Sequence, residues 1–77
     1  MQNFKISMKA ARINKGYSQD KAAFLLGISK ATLVNYEKGY TAPKLKVAKM
    51  MATLYGIPFD MLDFSVRKSS VKSNKVG

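Results

Sequence analysis

Four carboxylates, Asp20, Glu37, Asp60 and Asp63, are the entire acidic stock of this 77-residue chain, which has no histidine and no cysteine. General acid–base catalysis and metal binding both draw on carboxylates, imidazoles or thiolates held close together. So poor a supply argues against an enzyme and against a bound metal or cofactor. The missing cysteines remove a disulfide framework and any thiolate chemistry. Fourteen Lys and Arg leave a formal net charge of +10 and a pI near 10.1. A balance of this kind suits a polyanion, either nucleic acid or an anionic membrane surface. The plainer alternative is that the charge only keeps the protein soluble.

The elements that must position these cations centre on Ser18 to Gly39. Ser18 is a candidate N-cap, and Gln19, Ala22, Ala23 and Leu26 share one face of a helix. Gly27 ends that helix, Ile28 sits in the turn, and Ser29 caps a second helix from Lys30 to about Lys38, which Gly39 stops. Two such helices around a short Gly-containing turn form a helix-turn-helix. Ahead of them, Phe4 and Ile6 are available to pack on the body, and Ser7 caps a helix from Met8 to about Asn14, closed by Gly16. After them, Pro43 fits the first position of a helix over Lys44 to Tyr55, and Pro58 opens a last short helix, PFDMLD. The expected core is Met8, Ala11, Ala22, Ala23, Leu26, Ile28, Leu33, Tyr36, Leu45, Ala48, Met51, Leu54 and Leu62. Met50 and Met61 join Met51 as expected gap-fillers.

Residues 1–64 therefore read as one folded domain with the helix-turn-helix at 18–39, and residues 65–77 as a flexible basic tail. The tail carries Arg67, Lys68, Lys72 and Lys75 and no acid, so the body keeps +6 of the net +10. The hydrophobic content of 47% is ample for a globular fold. No signal peptide and no stretch of the ~20 apolar residues that span a bilayer is present, which leads to the expectation of a cytoplasmic protein without membrane attachment.

The blocks Met8-Lys9-Ala10-Ala11-Arg12, Gly16-Tyr17-Ser18-Gln19, Leu26-Gly27-Ile28-Ser29 and Thr32-Leu33-Val34-Asn35-Tyr36-Glu37-Lys38-Gly39 stand in this order, with Pro43 and Leu54-Tyr55-Gly56-Ile57-Pro58 behind them. Together they closely resemble the Cro/repressor-type, or xenobiotic-response-element, helix-turn-helix family, and within it the small phage and prophage regulators. The resemblance covers roughly residues 4 to 64. It implies an all-α, compact five-helix lambda-repressor-like domain that binds double-stranded operator DNA, usually as a homodimer. The function expected is that of a bacterial transcriptional regulator working at the nucleoid.

In such a domain the recognition helix presents its N-terminal residues to base edges in the major groove. Here these are Lys30, Ala31, Val34 and Asn35. Lys30 can donate to guanine O6 or N7, Asn35 suits adenine, and Ala31 and Val34 can meet a thymine methyl. The resemblance further assigns phosphate contacts to Gln19, Ser29, Lys38, Tyr40, Thr41 and Lys44. Glu37 is implied to pair with Arg12 in a partly buried ion pair, a structural role and not a catalytic one.

Two departures from the family pattern stand out. Phe24 and Leu25 lie off the core face of their helix, where they either cover a gap beside the first helix or Phe4, or form an exposed apolar patch for a protein partner. No C-terminal oligomerisation or effector domain is evident, so a dimer would use the domain itself, through Phe59, Met61, Phe64 or Val66. The competing function is thus a protein-interaction module on a helix-turn-helix scaffold, an anti-repressor or modulator that binds another regulator. Membrane-surface binding through the tail is the poorer third reading, because the tail lacks an apolar face.

Overall fold

A computed structural model describes residues 4–67. The elements run β1 (Ile6–Ser7), α1 (Met8–Lys15), α2 (Gln19–Leu26), α3 (Lys30–Glu37), α4 (Leu45–Tyr55), a 3-10 turn (Phe59–Met61) and β2 (Leu62–Asp63). The first three helices start where a serine hydroxyl accepts the N–H three residues on: Ser7 from Ala10, Ser18 from Lys21 and Ser29 from Thr32, each at 3.0 Å. Each such cap satisfies one of the N–H groups a helix start leaves without a partner. Gly27 adopts the left-handed conformation at φ +74°, which lets Ile28 N–H reach back to Ala23 O at 3.0 Å and turn the chain toward α3.

The sequence predicts five helices, and four α-helices form among the described residues. The fifth, PFDMLD, is reduced to a 3-10 turn, because Leu62 and Asp63 leave helical geometry to pair in parallel with Ile6 and Ser7. That pairing ties the two ends of the domain together. The start of α4 is also shifted. Lys44 is its N-cap without a side-chain bond, Pro43 stands one residue outside the helix, and Leu45 at the first position is 60% exposed. Leu45 therefore leaves the expected core.

Buried at the centre are Met8 and Ala11 of α1, Ala22, Ala23 and Leu26 of α2, Leu33 of α3, Met51, Ala52 and Tyr55 of α4, and Leu62 of β2. Ala48 is buried as well, whereas Ile28, Tyr36 and Leu54 only pack against this centre in part. Ala52 and Tyr55 lie outside the expected core, although they continue the same helical stripe as Ala48 and Met51. Of the other methionines, Met61 is half-buried and Met50 is exposed on the outer side of α4. Ile6 packs on the core but Phe4 does not.

Residues Ser65 to Arg67 fall in the expected tail, yet they run back over the body. Asp63 Oδ1 accepts from Ser65 N–H and Ser65 Oγ, which turns the chain and lowers the Asp63 carboxyl below its ordinary pKa. Arg67 N–H then donates to Gly39 O at 2.7 Å. The rest of the expected tail, 68–77, lies outside the described residues.

Candidate nucleic-acid interface

The candidate site is built on α3, an eight-residue helix with Leu33 fully buried beneath it and an exposed outer face. Lys30, Ala31 and Asn35 are exposed on that face, and Val34 is half-buried. Lys30 Nζ stands 3.7 Å from Asp20 Oδ2, both side chains open to solvent. An exposed pair of this kind contributes about 0–1 kcal/mol and is given up easily to a better partner.

The helix is held from behind by a charged network. Arg12 Nε donates to Glu37 Oε2 at 2.7 Å and Arg12 Nη2 to Glu37 Oε1 at 3.1 Å, a two-point pair whose side chains are 6% and 3% exposed. Arg12 Nη1 donates to Tyr17 O at 2.8 Å, and Gln19 Nε2 donates to Glu37 Oε1 at 3.1 Å. One carboxylate thus joins α1 and the start of α2 to the last residue of α3, and Arg12 ties in the α1–α2 turn through Tyr17 O. Planar guanidinium and carboxylate fix each other's orientation, which sets how α3 is presented.

The expected phosphate contacts are distributed around this helix. Gln19 is half-buried and spends one of its two amide hydrogens on Glu37, leaving the second. Ser29 Oγ donates to Thr32 Oγ1 at 2.8 Å while capping the Thr32 N–H, so its hydroxyl proton is already in use. Thr32, absent from the expected set, accepts that proton and keeps its own hydroxyl hydrogen on the first turn of α3. The Ser-x-x-Thr spacing is the signal in the sequence that points to it. At the other end of the helix, Lys38, Tyr40, Thr41 and Lys44 are all exposed, with Lys38 Nζ 5.8 Å from the centre of the Tyr40 ring. No sequence signal announces the Lys30–Asp20 pair, which forms across the turn.

The candidate protein-contact residues separate into two groups. Phe24 is 78% exposed and so fills no gap beside α1 or Phe4, whereas Leu25 is 39% exposed. Phe59 is exposed and stacks at 5.5 Å on the half-buried Phe64, with Met61 half-buried nearby in the chain. Among the described residues no group of three or more His, Cys, Asp or Glu side chains could hold a metal ion. No helix among them is long and apolar enough to cross a membrane.

Beneath the network lies Tyr55, buried, its ring 6.5 Å from that of Tyr17 and its hydroxyl without a hydrogen-bond partner among the described residues. Burial first, and the Glu37 charge second, push the phenol pKa up from 10.0 to about 12, with Arg12 pulling the other way. The unfolded chain ionises first. Stability from the neutral buried phenol is therefore complete below the unfolded pKa of 10.0 and is lost as pH rises through about 12. Tyr55→Phe should flatten the alkaline limb of a stability-versus-pH curve in that window. At neutral pH it should leave the urea midpoint unchanged or slightly higher, since an unpaired buried hydroxyl goes with it.

The same stretch of chain is shared with known proteins. A family model described as Helix-turn-helix matches residues 8–62. The chain is similar to the cryptic phage CTXphi transcriptional repressor RstR of Vibrio cholerae, 33% identical over 55 residues, 71% of this chain and 50% of that protein. It is similar to the SPbeta prophage-derived uncharacterized HTH-type transcriptional regulator YonR of Bacillus subtilis, 36% identical over 71% of this chain and 51% of that protein. With the HTH-type transcriptional regulator AnsR of the same organism, identity is 41% over 66% of this chain and 44% of that protein. The chain spans about half the length of the curated relatives it matches. No solved structure matches it significantly.

Proposed function

The chain belongs to the Cro/repressor-type helix-turn-helix family, and on that premise we propose that it is a sequence-specific, double-stranded DNA-binding transcriptional regulator of phage Cro or repressor type. It is a binding protein and not an enzyme, as its relatives are transcriptional regulators. On this reading α3 enters the major groove, Lys30, Ala31, Val34 and Asn35 face base edges, and Gln19, Ser29, Lys38, Tyr40, Thr41 and Lys44 hold the phosphates. The protein works at the nucleoid, in the cytoplasm. The observation that carries the reading is the pairing of an exposed α3 face with a rigid rear support. A reading helix must be held in one orientation to discriminate bases, and the Arg12–Glu37–Gln19 network ties the end of α3 to two other elements.

The test is selection of bound sequences from random duplex DNA by the purified chain. A palindrome with half-sites about 34–36 Å apart is expected, and would give both specificity and the two-fold symmetry of a homodimer. No enrichment would overturn the reading. Lys44→Ala should weaken binding to all duplexes alike and reduce the salt slope by about 1; a change confined to one sequence would remove Lys44 from the phosphate set.

A second reading has one specific observation behind it, the 78% exposure of Phe24 beside Leu25 on α2. A large apolar side chain left in water in this way fits an interaction module that binds another regulator. Weak, sequence-indifferent DNA binding together with a stable complex lost in Phe24→Ser would favour it.

A further inference from the structure

One exposed carboxylate, Asp20, stands beside Lys30, and the proposed function leaves it without a task. The other three acids are placed elsewhere. Glu37 is bound into the buried network, Asp63 turns the chain at Ser65, and Asp60 sits in the first turn of the 3-10 segment. Asp20 lies in the first turn of α2, next to Gln19, with its side chain 77% exposed. Across the turn its Oδ2 is 3.7 Å from Nζ of Lys30, the first residue of α3.

In a chain of net charge +10 that meets a polyanion, a carboxylate in this place lowers affinity for duplexes in general. When Lys30 turns to a phosphate, it leaves Asp20 facing the negative backbone without its counter-charge. Two unit charges about 4 Å apart in water interact strongly enough to change an equilibrium about fivefold, and more where water is excluded.

A G·C pair offers a different exchange. In the major groove guanine presents the N7 and O6 acceptors, and cytosine presents the N4 amino donor. O6 and N4 are the two ends of one Watson–Crick hydrogen bond, about 3 Å apart. A cation and a carboxylate held 3.7 Å apart thus meet an acceptor and a donor at nearly their own spacing. Lys30 gives up Asp20 for guanine, Asp20 gives up Lys30 for cytosine, and neither charge is stranded. An A·T pair also sets an acceptor beside a donor. Guanine, however, gives the ammonium two acceptors side by side, where thymine gives one beside a methyl.

We propose that Asp20 is a specificity-determining residue: with Lys30 it reads one G·C pair of the operator as a unit, Lys30 on guanine and Asp20 on the cytosine N4 amino group. This assignment rests on α3 being the DNA-reading helix. Asp20 also favours the dipole of α2 from its first turn, a role that would show in stability and leave base preference untouched.

The operator selected by the unaltered chain, its single-base variants and a mixed-sequence duplex, all at one salt concentration, test it with Asp20→Ala and Lys30→Ala. Asp20→Ala should bind the mixed-sequence duplex about fivefold more tightly. Asp20→Asn, which keeps the shape of the side chain without its charge, should show the same gain. Asp20→Ala should also lose about fivefold or more of its preference at one G·C position, and Lys30→Ala should lose preference at that same position. Urea unfolding of each variant reads the helix-dipole role separately. An Asp20→Ala variant that is less stable but keeps its preference at every position overturns the proposal and leaves the reading of α3 intact. So does a loss at an A·T pair, or at a position that Lys30→Ala does not touch. No gain on mixed sequence in either Asp20 variant overturns the phosphate repulsion. Selection of no sequence by the unaltered chain sinks both the role of Asp20 and the reading of α3.

Discussion

Glu37→Ala should cost about 3–5 kcal/mol of folding stability, because it leaves the Arg12 guanidinium buried without its counter-charge. Arg12 is 5% exposed, and two of its three hydrogen bonds end on Glu37. A chain of this size holds roughly 4–12 kcal/mol in all, so the variant should unfold at a much lower urea concentration or be largely unfolded at room temperature. The loss reflects the stranded charge more than the worth of the pair. Replacing both partners, Arg12→Met with Glu37→Leu, should therefore recover most of the stability, as apolar residues of similar volume often do in place of a buried pair. The two single changes should be strongly non-additive in a double-mutant cycle. A Glu37→Ala variant that melts within about 1 kcal/mol of the parent would show that water reaches Arg12 and that the network is not a rigid support. The recovered double variant has a further use. If it folds but discriminates operators poorly, the network orients α3 as well as stabilising it.

The largest effect on binding is expected from Asn35→Ala combined with Lys30→Ala. Each well-placed base contact is worth about 1–3 kcal/mol of discrimination, so each single change should cost roughly 5- to 150-fold in preference for the matched base pair. The pair together should bring operator affinity close to that for mixed DNA. The salt slope should fall by less than for the loss of phosphate contacts, since Asn35 carries no charge. Lys30 gives up only its loose contact with Asp20 in the exchange. Competition of a selected operator against single-base variants reads the result. Unchanged discrimination after both substitutions would remove these two residues from the reading set, leaving Ala31, Val34 and Thr32 to account for it.

Most of what could be inferred from the chain by itself is local chemistry. Ser7, Ser18 and Ser29 begin three helices, and Gly16, Gly27 and Gly56 end three, because caps and left-handed turns act within a few residues of themselves. The balance of cations over carboxylates is a property of composition, and it points to a polyanionic partner without reference to the fold. What the tertiary structure decided depends on contacts between distant parts of the chain. Leu45 has a core residue's chemistry, but it falls at the first position of α4, two residues after the proline expected there, and is left 60% exposed. The last short helix yields to a strand because Ile6 and Ser7 offer a backbone partner more than fifty residues away. Phe24 remains exposed because no neighbouring element among the described residues packs over it. Ser65–Arg67 carries no pattern of its own, and only the Gly39 carbonyl at the end of α3 tells where it goes. Caps and periodicity are written in neighbours, whereas the partner of a carbonyl, a carboxylate or an apolar ring is settled only when the helices have come together.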